Sequence, residues 1–147
     1  MIIFRNKKAK RSYFFVQDWE AGIILKGSEI KSIRIGKVSF NDSYASIDKD
    51  GIWLYNLHIS PYKFDSGTAP DPDRRRKLLL NKREIKKIRI QIDERGMTLI
   101  PVEIYINEKS LAKVKIALAK GKRQYDKRED IKKKDMMRDM QRRLKNQ

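Results

Sequence analysis

The chain contains no cysteine, so a disulfide framework and a thiolate metal site are both closed to it. It has a single histidine, His58, in HISPY at the end of an expected strand. One imidazole with no thiol beside it does not assemble a nucleophile–base pair, and His58 is read as structural. Metal-ligand spacings are missing as well. Gly36, Gly67 and Gly121 lie in no phosphate-cradling pattern, and Gly121-Lys122 lacks the upstream glycine of a P-loop. The carboxylates Asp71 and Asp73 stand next to Arg74, Arg75 and Arg76, which reads as a solvated salt-bridge cluster. The expectation is a protein that is not an enzyme, with no catalytic residue, cofactor or metal. Long apolar runs are also lacking. No stretch approaches the ~20 residues of a spanning helix, and Met1-Ile2-Ile3-Phe4 is too short for a signal-peptide core before Arg5, Lys7 and Lys8. A cytoplasmic protein is expected.

What is abundant is positive charge. Thirty-six Lys and Arg face nineteen Asp and Glu in 147 residues, a formal +17 with a pI near 10.1. The charged fraction of 37% exceeds the usual quarter, while a hydrophobic fraction of 39% supplies one core. The length fits one domain and an appendage. Such an excess repels itself and attracts polyanions, nucleic acid first and an anionic membrane second.

The apolar pattern points to strands. YFFVQDWEAGIIL (13–25) is rich in aromatic and β-branched side chains, with a bend expected at Gly22. A short helix is expected from Ser28, as cap, to Gly36. SYASI and IWLYNLHI read as a hairpin turning at Asp50-Gly51, with Trp53, Tyr55, Leu57 and Ile59 on one face. The segment 63–76, with Pro70 and Pro72, has no period and reads as a mobile loop. Asn81 with Glu84 three residues on opens a second helix, which Gly96 ends. Thr98–Ile106 and Leu111–Leu118 alternate as two final strands. Short strands with a helix inserted late argue for an OB-like β-barrel of five or six strands, ending near Leu118.

The remaining segment, 120–147, carries twelve Lys or Arg and five Asp or Glu. Asp126 is placed to cap a helix, with Glu129 three positions on. The favourable pairs Glu129–Lys133 and Asp139–Arg143 are offset by repulsive ones such as Asp126–Asp130 and Arg138–Arg142. The apolar stripe of Met136 or Met137, Met140 and Leu144 is narrow for docking on a core. A helix that forms on a partner, and is disordered without one, is the expectation. Tyr125, among Lys122, Arg123, Lys127 and Arg128, is free to stack on a base.

Taken in order, NKKAKRSYFF, EAGIILKGSEIKSIR, GKVSFNDSYASI, LYNLHISPY, RKLLLNKREI and VKIALAKGKRQYDKRED resemble the SmpB family, the tmRNA-binding (SsrA-binding) proteins of bacterial ribosome rescue. The resemblance covers nearly the whole chain. It implies a mainly β fold, an OB-like six-stranded antiparallel barrel with accessory helices (1–119) and a basic C-terminal tail (120–147). It implies binding to the tRNA-like domain of tmRNA, and delivery with elongation factor Tu, which acts through tmRNA, to the empty A site of a stalled ribosome. There the tail would enter the decoding centre and vacant mRNA channel as a helix. The family's RNA-contacting residues fall on Asn6, on Glu20 in the block with Ala21 and Gly22, and on Leu79 in KLLLN, which ends at Asn81. Lys7, Lys8, Lys10 and Arg11 join them as candidate phosphate contacts from charge and proximity. The candidate tail contacts are Lys120, Lys122, Arg123, Tyr125, Asp126, Lys127, Arg128, Lys132, Lys133 and Lys134. A monomer is expected. The alternative is a structural ribosome-associated protein anchored in rRNA.

Overall fold

Alternation dictates the framework. In β9 (Ala112–Gly121), Val114, Ile116 and Leu118 are fully buried. In β8 (Thr98–Ile106), Leu99, Ile104 and Ile106 face the same interior. The computed structural model describes residues 1–64, 67–122 and 124–145, with side chains in the last segment over 134–144 only. Preceding these strands are β1 (Ile2–Arg5), α1 (Lys7–Ser12), β2 (Tyr13–Ile23), α2 (Gly27–Arg34), β3 (Val38–Ser39), β4 (Tyr44–Asp48), β5 (Gly51–Tyr55), β6 (His58–Ile59), β7 (Arg76–Leu79) and α3 (Lys82–Arg95); α4 (Gln124–Lys145) ends the chain.

The strands β8-β4-β5-β7-β2-β9 run in that order, and β9 pairs again with β8, closing a six-stranded ring. Every pairing is antiparallel. This is the OB-like barrel that the sequence pattern implies. β1 lies along the later half of β8, where Arg5 faces Glu103, while β4 meets β8 earlier, at Ala45 and Leu99. Closure requires bends, and the register shifts at Phe15/Gln17 in β2 and at Pro101/Glu103 in β8. Pro101, which has no N–H to give a ladder, sits at the second shift.

Ile33 of α2 and Ile88 of α3 are fully buried in the barrel's core cluster. α3 begins where its cap is expected, the Glu84 N–H donating to Asn81 Oδ1 at 2.9 Å, and Gly96 ends it in the left-handed region at φ 62°. α2 differs from the reading of Ser28 as cap. It starts at Gly27 with Lys26 in the cap position, because the Glu29 carboxylate reaches back to accept the Lys26 N–H at 2.9 Å.

Two other expectations are corrected. Trp53 and Tyr55 do not share a face with Leu57 and Ile59. Ile52 and Leu54 point inward instead, and Asn56, at φ 62°, shifts the alternation by one residue before Leu57. Arg74 and Arg76 do not belong to a solvated cluster, while Arg75 is exposed and pairs with Asp48 at the surface. Arg76 is fully buried, its Nε donating to Glu29 Oε2 at 2.7 Å, Nη2 to the Pro72 carbonyl at 3.0 Å and Nη1 to the Leu57 carbonyl. Arg74 donates to both oxygens of the same carboxylate. The described end of the 63–76 segment is thereby tied down, with the Ile59 N–H on the Pro72 carbonyl at 3.0 Å and His58 Nδ1 at 2.9 Å from Asp73 Oδ1.

Burial alone raises the Glu29 carboxyl, but Arg74, the Lys26 N–H and Arg76 outweigh it and hold it below its ordinary 4.5. Since the folded value lies below the unfolded one, this stabilisation is complete above about pH 4.5 and is lost as pH falls through the folded value. Replacing Arg76 by Met leaves Glu29 with Arg74 and the Lys26 N–H but removes its buried partner and the donor to the Leu57 carbonyl, and is expected to cost about 1.5–3 kcal/mol in urea unfolding at neutral pH. The deficit is expected to shrink in acid, where Glu29 is protonated in both proteins.

Candidate nucleic-acid interface

The basic run after β1 becomes a helix although it has no apolar period. Only Ala9 in α1 is buried. The turn forms because Asn6, 5% exposed, is bonded in three directions. Its Oδ1 accepts the Ala9 N–H at 3.1 Å as a helix cap, its Nδ2 donates to the Pro101 carbonyl at 2.9 Å, and its backbone N–H donates to the Val102 carbonyl at 2.8 Å. The carbonyls it holds belong to the irregular part of β8. Lys7, Lys8, Lys10 and Arg11 are then left on the exposed surface. Asn6 itself is turned inward and positions them. Lys8 Nζ also lies 3.2 Å from Asp42 Oδ1.

β9 runs on past the expected end at Leu118. Phe14 pairs with Lys120 and Tyr13 with Gly121, and the Lys122 N–H donates to the Ser12 carbonyl at 2.9 Å. Lys122 Nζ stands 4.7 Å from the centre of the half-exposed Phe14 ring, within cation–π range. Lys120 and Lys122, grouped with the tail in the sequence, are therefore held by the barrel beside α1. The fold brings two basic segments from opposite ends of the chain to one border.

A second group lies about 25 Å further along β2 at a strand rise of ~3.3 Å per residue. Gly22 pairs with Leu79, and a Cβ on Gly22 would meet the Leu79 Cβ at 3.2 Å, so the glycine lets the two strands lie close under an exposed leucine side chain. Ala21 is fully buried and contributes to the core alone. Asn81 is engaged as the α3 cap. Glu20 faces outward, opposite Lys115 in a row that continues through Glu103 to Arg5. Burial first, then the hydrogen bond with Glu20, pushes the Tyr105 hydroxyl up to about 12. Glu20 thus sits in a fixed outer-face network and offers no attraction to phosphate.

Sequence reading missed an aromatic and basic cluster on the outer face of β4, β5 and β7, with Arg75 just before β7. The Arg75 guanidinium lies 4.2 Å and Lys77 Nζ 5.9 Å from the Trp53 ring, and Tyr44 stacks on Tyr55 at 5.2 Å. The available signal was the alternation of Trp53 and Tyr55 with buried Ile52 and Leu54, masked by the assumption of one continuous face.

The tail backbone forms a helix of 22 residues, roughly 33 Å at 1.5 Å rise per residue. It starts at Gln124, so Asp126 occupies its first turn and not its cap position. Arg123 lies outside the described residues, as do the side chains of Tyr125, Asp126, Lys127, Arg128, Lys132 and Lys133. Lys134 is exposed. Met136, Met137, Met140 and Leu144 are 65–71% exposed, so this stripe is not buried against the barrel. Among the described residues no helix is long and apolar enough to cross a membrane, and no group of three acidic or imidazole side chains could hold a metal.

A closed OB-like barrel with a fixed basic border, followed by a basic helix whose residues 134–144 are exposed, defines the class: a small β-barrel protein arranged to meet a polyanion. The model of the SmpB protein family matches residues 3–146. The SsrA-binding protein of Geotalea uraniireducens is 52% identical over 139 residues, covering 95% of this chain and 91% of that protein. That of Halothermothrix orenii is 48% identical over 144 residues, covering 98% and 92%. A chain from a solved structure described as "tmRNA-SmpB: a journey to the center of the bacterial ribosome" matches with a TM-score of 0.72 and 41% identity, covering 89% of this chain and 95% of that one. The chain belongs to the SmpB family.

Asn6→Ala removes the α1 cap and the donor to Pro101 together. The expected loss is about 1–3 kcal/mol of stability, with faster amide exchange in 7–12 than in β9. Uniform acceleration across the barrel would show that Asn6 does not act on α1.

Proposed function

We propose that this protein is an RNA-binding adaptor of ribosome rescue. Its barrel binds the tRNA-like domain of tmRNA, and its tail enters the decoding centre and empty mRNA channel of a stalled ribosome. The observation that carries the reading is the basic border of α1 and the end of β9 on a barrel that matches the chain of the tmRNA-SmpB structure. Exposed ammonium and guanidinium groups on a rigid border suit folded RNA, which is recognised largely through its backbone and shape. Lys7, Lys10, Arg11 and Lys120 are the first candidates for phosphate contact. Gly22, Leu79 and Glu20 form a second contact region, where an exposed leucine can pack on a base or ribose.

The tail contributes differently. Its exposed apolar stripe gives no reason for docking on the barrel, and its charge favours a phosphate-walled passage. Elongation factor Tu is engaged through tmRNA, and one copy of the protein suffices for the assembly.

Truncation after Lys122 keeps the pairings of β9 with β2 and leaves the basic border whole. Its affinity for a tRNA-like RNA is expected to stay within about threefold, under 1 kcal/mol, of the full chain. Peptide tagging on stalled ribosomes is expected to be abolished. An equal loss of both activities in parallel gel-shift and tagging assays would contradict the division of labour.

A further inference from the structure

Between α1 and the turn leading into β4 lies a cleft of about 310 Å³, whose lining includes Lys8, Tyr13, Asp42, Ser43, Tyr44 and Thr98. Its volume falls at the lower end of ligand-binding clefts. Three features make it more than a gap between elements. Ser43 is only 5% exposed, its backbone N–H is engaged with the Phe40 carbonyl at 2.8 Å, and its hydroxyl has no partner. A buried hydroxyl is normally hydrogen-bonded, and this one, itself closed to solvent, reaches a group entering the cleft by turning about χ1. At the lip, Lys8 Nζ and Asp42 Oδ1 lie 3.2 Å apart, placing a strong donor beside a two-oxygen acceptor. The wall carries two aromatic rings, Tyr13 and Tyr44, and Tyr44 is held by its stack on Tyr55 with 13° between the planes.

A ligand that satisfies all three is flat, offers two adjacent N–H donors to a carboxylate, and has an acceptor next to them for the ammonium. Guanine has that order along its Watson–Crick edge: O6, N1–H and the N2 amine. Adenine, cytosine and uracil lack the adjacent pair of donors. We propose that this cleft holds one unstacked guanine base, with Asp42 accepting from N1–H and N2–H, Lys8 donating to O6, and the Ser43 hydroxyl turning to pair with the base or its ribose. The rings of Tyr13 and Tyr44 supply the stacking surface on which splayed-out bases are held. Lys7, Lys10 and Arg11 on the same helix are available for the flanking phosphates. The assignment rests on the RNA-binding reading and deepens it, adding base selection to a border that by charge alone would be indifferent to sequence.

The same base can come from RNA or from a free nucleotide. The test therefore has two arms, both with the full chain. In the first, a tRNA-like RNA carrying 6-thioguanosine is photo-crosslinked, and its affinity is measured on the same sample by fluorescence anisotropy. Crosslinks are expected at Tyr13 or Tyr44, and Asp42→Asn is expected to reduce their yield by about tenfold, as for the loss of a charged hydrogen bond. Asp42 is solvent-exposed, so this variant keeps the fold. Tight RNA binding without crosslinks in the cleft, or crosslinks indifferent to Asp42→Asn, would overturn the proposal and leave the RNA-binding reading standing. Absence of RNA binding would instead remove that reading. The second arm would then decide the cleft, titrating guanosine and cytidine monophosphates while following the amide resonances of Ser43, Tyr44 and Thr98. Larger shifts with the guanosine nucleotide support a free-nucleotide site; equal shifts, or none, overturn it.

Discussion

Strand β9 is hydrogen-bonded along both edges, to β2 on one side and to β8 on the other, and this double pairing turns a sheet into a ring. Within the closed ring each of the six strands has a neighbour on both sides, so none of the six is left as a template for another chain. Closure also sets the surface. Because Phe14 pairs with Lys120 and Ser12 accepts the Lys122 N–H, the last residues of the barrel lie against the start of β2, beside α1. Charges from the two ends of the chain are concentrated at one place by backbone geometry alone. Their mutual repulsion is opposed by the apolar interior, where Val114, Ile116 and Leu118 are fully buried.

The interior is not wholly apolar. Glu29, 2% exposed, accepts from two arginines and from the Lys26 N–H, and Arg76 in turn holds the Leu57 and Pro72 carbonyls. Such a group adds little net stability compared with an apolar replacement, since desolvation offsets most of the attraction. Its value is specification. One carboxylate fixes the start of α2, the entry to β7 and the 71–73 turn relative to one another. A hydrophobic cluster of similar volume, lacking direction, would leave those backbone positions less defined.

Strands β2, β4, β5, β8 and β9, the late helix capped by Asn81 and the closing Gly96 were legible because each depends on a local signal: alternation, a capping side chain or a positive φ; β1, β3 and β7 are too short to show alternation and were not legible as strands. The parts that were not legible depend on partners far away in sequence. α1 has no periodicity and exists through Asn6 and the carbonyls of Pro101 and Val102. Arg76 looks like one of three surface arginines until Glu29, 47 residues away, is placed beside it. The face of Trp53 was assigned by extending a period across Asn56, whose left-handed backbone breaks it. For the interface, charge identified Lys7, Lys8, Lys10 and Arg11. No local pattern revealed that Lys120 and Lys122 would be their neighbours, or that Asn6 would serve them from inside.

The central claim is that a rigid border on the barrel, and not the exposed terminal helix, recognises folded RNA. Hydrogen–deuterium exchange of the full chain, with and without a tRNA-like RNA and in the absence of ribosomes, tests it most directly. The account predicts new protection in α1, at the start of β2 and around Gly22 and Leu79, with residues 134–144 of α4 unchanged. Protection confined to α4, with α1 and β2 exchanging as in the free protein, would contradict it.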